Sequence, residues 1–168
     1  MREAFFQLPG AAWSLQLSKD VVQFLDNHAQ RDVFAPESVG QLYSRDLTAP
    51  VIVIERATKL QPKSASRVKV QFDTKQAYAE REALFQSGLH CVGLWHTHPE
   101  PHPLPSGDDR RLARDYALNA KSHVAGIVFA IAGTRALPDG LRIWFDDGND
   151  LMLANSIDVP FGSYNSPS

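Results

Sequence analysis

The stretch GLWHTHPEPHPLPSGDD, residues 93–109, carries His96 and His98 one residue apart, prolines at 99, 101, 103 and 105, and Asp109 at its end. In an extended segment, residues two apart face the same side, so both imidazoles can aim at one point. Two imidazoles and a carboxylate are a donor set that zinc accepts, and three protein ligands leave its fourth tetrahedral position open, as in catalytic sites. Zinc lowers the pKa of bound water to about 7, so that a nearby carboxylate can take the proton while a carbonyl is attacked. Asp109 is the third candidate ligand. Ser106 stands three residues before it, so SxxD also reads as a capping box, with the carboxylate in a first helical turn where the dipole favours it. The prolines fix φ and lower the entropy lost on ordering the connection, which holds both of its ends in place. An isolated HxH or SxxD is ordinary structure. Joined by a stiff loop at ligand spacing, the two read as a metal site.

For these side chains to meet, a strand end must lie beside a helix start. LHCVGLW reads as a buried strand leading into His96, and Ser106 opens a helix through GDDRRLARDYALNA. Upstream, WSLQL alternates like a short strand, and Ser18 is the N-cap of a helix through KDVVQFLDNHAQ, with Val21, Val22 and Leu25 at helical spacing. ESVGQLYS and APVIVIERA read as strands, the second nearly continuous in apolar residues and therefore expected at the centre of the sheet. SRVKVQFD alternates and gives a third; Asp73 or Thr74 then caps a helix through KQAYAEREALFQ that Gly88 ends. VAGIVFAIAG and LRIWFDD return to the sheet, and LMLANSI adds a further strand. The small polar end, SYNSPS, is expected to fray from about residue 160. The expectation is an α/β fold, a single mixed β-sheet flanked by about three helices, in one domain over residues 1–168.

Composition narrows the function. With 43% hydrophobic and 21% charged residues the 168-residue chain can bury a core without a disulfide. A net charge of −2 gives no broad positive field, which argues against a nucleic-acid partner. The single cysteine, Cys91, excludes an intramolecular disulfide and the PCxxC ligand pair of zinc deaminases, and it fits a reducing, cytoplasmic setting. The N-terminal stretch MREAFFQLPGAAW has no signal-peptide pattern, and no apolar run approaches a bilayer's thickness, so no membrane partner is expected.

HTHP, the gap of ten residues from His98 to Asp109, and Ser106 three before it together resemble the HxHP…SxxD motif of the JAMM/MPN zinc metalloproteases. Members of that family also carry an upstream E-x-x-G-x-L-x-G strand. Here Glu37, Gly40 and Leu42 stand at its positions, with Ser44 where glycine is usual. The resemblance extends over about residues 13–155 and implies a cytidine-deaminase-like core. It also implies zinc held by His96, His98 and Asp109, with Glu37 as general acid/base and Ser106 near the developing oxyanion. The activity implied is a deubiquitinase-like isopeptidase, a hydrolase acting on a ubiquitin-like protein or its conjugates. One helix leads directly from Asp109 to the next strand, which is similar to the short bacterial members of anti-phage systems, either CBASS or those conjugating ubiquitin-like proteins. There the partners would include E1/E2-like enzymes. A peptidase trimming a small sulfur-carrier protein is the alternative enzyme, and a metal-free MPN interaction scaffold the alternative of another class.

Other residues have plainer readings. Glu55 ends a strand and is a rival base, but it lies outside the upstream motif. Asp108 points about 100° from Asp109 on a helix and complements the dipole. Arg110, Arg111 and Arg114 are either a solvated face or a patch for an acidic partner. His102 belongs to the exposed loop, while His28, His90 and His123 have no partner at ligand spacing. Trp95 should face away from His96 into the core, and Cys91 should pack in its strand.

Overall fold

The computed structural model describes residues 1–65 and 70–158. In chain order the elements are β1 (Ala4–Gln7), β2 (Ser14–Leu17), α1 (Lys19–Asn27), β3 (Val39–Ser44), β4 (Val51–Ile54), β5 (Arg56–Ala57), β6 (Pro62–Ala65) and β7 (Val70–Phe72). There follow α2 (Thr74–Gln86), β8 (His90–Thr97), α3 (Gly107–Ala120), β9 (Ile127–Ala132), β10 (Leu141–Asp146), β11 (Leu151–Leu153) and β12 (Asn155–Ile157). No helix among these residues is long and apolar enough to cross a membrane. The α/β class with three helices agrees with the sequence. Its strands divide between a six-stranded sheet, β11-β10-β9-β8-β3-β5, and a four-stranded sheet, β12-β1-β2-β4, with β6 and β7 as a separate hairpin.

Period-two alternation gives the larger sheet two faces. Leu42, Trp95, Val128, Ala130 and Ile143 join the core shared with α1 and the smaller sheet. Leu94, Ile127, Phe129, Ile131 and Trp144 pack against Ala113 and Ala117 of α3, while Val39 meets Ala77 of α2. The large sheet is thus the middle layer, covered on both faces as mixed sheets with parallel pairs require. Strands β8 and β9 are that parallel pair, with Trp95 opposite Ala130, and α3 is the crossover between them. His96 shares parity with Leu94, so it faces α3; Trp95 turns into the opposite core, as expected from the sequence.

Several local expectations hold and others need correction. Ser18 caps α1 by accepting Val21 N–H at 3.3 Å, Asp73 caps α2, and Gly88 with φ of 81° follows the C-terminus of α2. β4, expected at a sheet centre, is an edge strand paired only with β2, in parallel. One face of its apolar run enters the core, where Ile54 is fully buried and Ile52 lines a cavity of about 580 Å³. LMLANSI is two strands in two sheets: the chain switches sheets at buried Ala154, whose N–H donates to Ile143 O at 2.9 Å. Of SRVKVQFD, residues 70–72 form β7; residues 66–69 and the tail expected to fray from about 160 lie outside the described residues.

Two contacts fix where β3 and β8 meet. Trp95 Nε1 donates to Thr58 O at 2.7 Å across Gly40. A Cβ on Gly40 would sit 1.6 Å from that oxygen and 2.5 Å from Nε1, so only glycine fits this crossing. Antiparallel pairing then sets Val39 opposite His96, and Thr97 N–H donates to Ser38 O at 3.1 Å. Ser38 N–H in turn donates to Thr97 Oγ1 at 2.9 Å.

Candidate metal centre

His96 lies near the end of β8, His98 one residue beyond it, Asp109 in the first turn of α3, and Glu37 two residues before β3. The fold brings all four together. One ligand atom from each lies within 4.8 Å of the others, and all four residues are buried. Asp109 faces both imidazoles, with Oδ1 3.4 Å from His96 Nε2 and Oδ2 3.1 Å from His98 Nε2. The other ring nitrogen of His96, Nδ1, meets Glu37 Oε1 at 2.5 Å. The imidazoles stand nearly perpendicular, and His96 leans on the Phe129 ring at 5.0 Å between centroids.

The capping box and the metal-site reading coexist in Asp109. Ser106 Oγ accepts Asp109 N–H at 3.1 Å, and Asp109 Oδ2 accepts Ser106 N–H at 2.7 Å. Capping therefore orients the carboxylate that faces the histidines. The loop is held at its root: His98 N–H donates to Ala132 O at 3.0 Å and Thr134 N–H to Glu100 O at 2.9 Å. Pro103 and Pro105 are buried beneath it.

The cluster polarises its members. Burial alone would raise the Asp109 carboxyl, but the His98 hydrogen bond, the His96 charge and Ser106 N–H outweigh it and hold the pKa at about 2. Burial would likewise depress His98, yet the Asp109 hydrogen bond and charge, with Glu37 and Glu100 beyond, raise it above its ordinary value. A carboxylate kept ionised beside two imidazoles is the electrostatic setting a cation completes.

The donor set fits zinc on an observation of its own. Among the described residues, Glu37 Oε2 and His96 Nε2 are buried without a hydrogen-bond partner, a condition that costs free energy unless something else satisfies these atoms. His96 Nε2 points to the space between His98 and Asp109, as a ligand nitrogen must. His96, His98 and Asp109 are the residues able to hold the ion, and Glu37 presents a free carboxylate oxygen beside them. Ser106 is exposed, with its own O–H proton uncommitted by the cap.

The remaining residues resolve without chemistry. Glu55 pairs with Arg45 at 3.2 Å on the surface. Asp108 pairs with Arg111, and Arg114 binds fully buried Asp146 at 3.0 Å and Asn149 O at 2.8 Å, so the arginine run is partly structural rather than a free patch. His28 bonds Phe24 O, His90 stacks edge-on to Phe85, and His123 lines the 580 Å³ cavity, which touches none of the site residues. Burial pushes the Cys91 thiol up to about 11, so it is inert packing. Ser44 is buried and bonds Asp46 O at 3.4 Å, so the serine fits where glycine is usual. Spacing did not single out Glu100, whose Oε2 lies 3.8 Å from His98 Nδ1; the only sequence signal was a carboxylate two residues after a ligand candidate.

Known proteins bear on this geometry. A CD-NTase/cGAS isopeptidase from Enterobacter hormaechei subsp. hoffmannii (strain UCI 50) is 26% identical over 136 residues, covering 79% of this chain and 74% of that protein. A desampylase from Haloferax volcanii is 38% identical over 47 residues, 28% of this chain and 34% of that protein. The solution structure of a protein from Desulfitobacterium hafniense covers 82% of this chain and 87% of its own with a TM-score of 0.60; at 20% identity the likeness is one of fold. Residues 18–146, which include all four clustered side chains, match the family described as prokaryotic homologs of the JAB domain, and the chain belongs to that family.

Proposed function

We propose that this chain is a zinc-dependent isopeptidase or peptidase of the JAMM type that cleaves after the C-terminus of a ubiquitin-like protein or its conjugate. The observation that carries the reading is the buried group of Glu37, His96, His98 and Asp109, in which Glu37 Oε2 and His96 Nε2 lack partners. Zinc held by His96, His98 and Asp109 supplies Lewis acidity for a carbonyl and acidifies water. Glu37 Oε2 is the base that takes the attacking water's proton and returns it to the leaving amine. The C–N bond breaks, the water oxygen stays on the new carboxyl group, one water proton departs with the amine, and the other is released as the carboxyl ionises. Ser106 accepts Asp109 N–H through Oγ and keeps its own proton to donate to the tetrahedral oxyanion.

A protein substrate is supported by two features. One relative is named an isopeptidase and another a desampylase. Phe34, 90% exposed three residues before Glu37, and Leu104, 64% exposed two residues before Ser106, put large apolar side chains on both segments that carry the site; such side chains suit a macromolecular partner. The one-domain organisation, a cytoplasmic setting, and service beside E1/E2-like enzymes in a bacterial anti-phage conjugation system complete the proposal. The test is to incubate the zinc-loaded protein with a panel of ubiquitin-like fusions and isopeptide conjugates, with and without a chelator. Chelator-sensitive cleavage at the ubiquitin-like C-terminus is expected. Cleavage that persists in the apo-protein, or none across the panel, would overturn the assignment.

A further inference from the structure

The two imidazoles of the cluster are backed unequally. His96 presents Nε2 inward because its Nδ1 meets Glu37 Oε1 at 2.5 Å. His98 also presents Nε2 to Asp109, at 3.1 Å, but its Nδ1 is buried with no hydrogen bond. A ligating imidazole offers the lone pair of one nitrogen and carries its proton on the other, so the acceptor of that outer proton decides the tautomer and ring angle. His98 therefore needs an acceptor on its Nδ1 side. The Glu100 carboxylate stands there, with Oε2 at 3.8 Å.

We infer that Glu100 is the positioning carboxylate of His98, accepting Nδ1–H and keeping Nε2 as the nitrogen turned toward Asp109. This rests on the metal-site reading above. Backbone placement favours it. Glu100 precedes Pro101, which restricts its backbone to the extended region, and follows Pro99, whose own φ is fixed. Its carbonyl accepts Thr134 N–H at 2.9 Å, and His98 N–H donates to Ala132 O at 3.0 Å, so both residues hang from the same end of β9 at a fixed spacing. Gly133 lies between those anchors, and a Cβ there would come within 2.5 Å of Glu100 O; glycine is what lets the loop seat so closely. At 3.8 Å the pair is an ionic contact. A hydrogen bond of about 2.8 Å needs the carboxylate to come about 1 Å closer, and its side chain is 56% exposed. That exposure also lets solvent replace part of the function, which places the expected effect at the lower end of the 10–100-fold typical of such partners.

The experiment measures zinc affinity of the full chain by competition with a chelating dye for wild type, Glu100→Ala and Glu100→Gln. It adds solvent-exchange rates of the His98 Nδ1 proton in the zinc-loaded proteins. Glu100→Ala should bind zinc about 10-fold more weakly and exchange that proton faster, with the melting temperature of the apo-protein unchanged. Glu100→Gln keeps a neutral acceptor and should fall between. Equal affinity and equal exchange in Glu100→Ala overturn the positioning role while leaving the metal site standing. A wild type that takes up no zinc overturns the metal-site reading, and this inference with it, so the two failures are distinct.

Discussion

In Asp109 one carboxylate both closes a helix cap and faces two buried imidazoles. Its Oδ2 accepts Ser106 N–H while facing His98, and its Oδ1 faces His96. Asp109→Ala should therefore abolish stoichiometric zinc uptake, measured as metal content after dialysis, and cost about 1 kcal/mol through the lost cap. Glu37→Gln preserves shape and removes the proposed proton carrier, so zinc content should persist while kcat falls by about 10² or more. His96, His98 and Asp109 were legible from spacing alone, because a strand terminus, a stiff loop and a capped helix are local. Glu37 was not. It stands 59 residues from His96, and the pairing of β3 with β8 joins them, so its candidacy came from the resemblance of the upstream motif rather than from any pattern near the histidines.

Elements are held to the sheet by different means. α3 buries Ala113 and Ala117 against Phe129 and Ile131, an apolar seam visible in the sequence. α2 buries only Ala77 fully and relies on polar contacts: Gln41 Oε1 accepts from Arg81 at 2.8 Å and Tyr116 OH at 3.3 Å, while Gln41 Nε2 reaches Glu80 at 3.0 Å. Tyr43 OH donates to Glu80 at 2.8 Å, and the Arg81 guanidinium lies 5.3 Å from the Tyr116 ring centroid. Such a network ties α2 and α3 to β3, and leaving its buried acceptor unmet costs about 1–3 kcal/mol. Arg81→Ala should speed amide exchange in α2 while β8 and β9 stay protected. No hydrophobic periodicity announces that arrangement, nor the short strand β1, which pairs with β2 and β12; β12 reads only as the end of a single strand over LMLANSI. The same limit misread β4, since an apolar run signals burial and not position within a sheet.

Across the whole molecule, remote segments are locked at a few crossings. Gly40→Ala would drive a Cβ into Thr58 O and Trp95 Nε1, so denaturant unfolding should report a loss of about 2 kcal/mol or more. A second lock joins the end of α1 to the β9–β10 connection. Asp26 pairs with Arg31 at 2.6 Å and accepts Leu137 N–H at 2.9 Å, while Arg31 reaches Thr134 O at 2.9 Å. Burial alone would raise the Asp26 carboxyl, but the Arg31 hydrogen bond, Leu137 N–H and the Arg31 charge hold it below its ordinary 3.8. With the folded pKa depressed, the unfolded chain binds the proton more readily; the stabilisation is full above 3.8 and fades as pH falls through the folded value. The stability gap between wild type and Asp26→Asn should therefore be full at neutrality and shrink only once the pH falls below 3.8, as read from urea curves on either side of that value.

The offset in the β3–β8 ladder, where Tyr43 opposes Cys91 and Leu42 opposes Gly93, leaves Val92 without a cross-strand mate. The half nearer the histidines thus keeps a register of its own, and a slip of one position there would turn side chains to the wrong face. Changes in chain length should then be tolerated asymmetrically. One alanine inserted after Arg45, in the exposed β3–β4 connection, leaves metal uptake intact, whereas the same insertion after Gly40 swings Glu37 out of alignment with His96 and abolishes turnover.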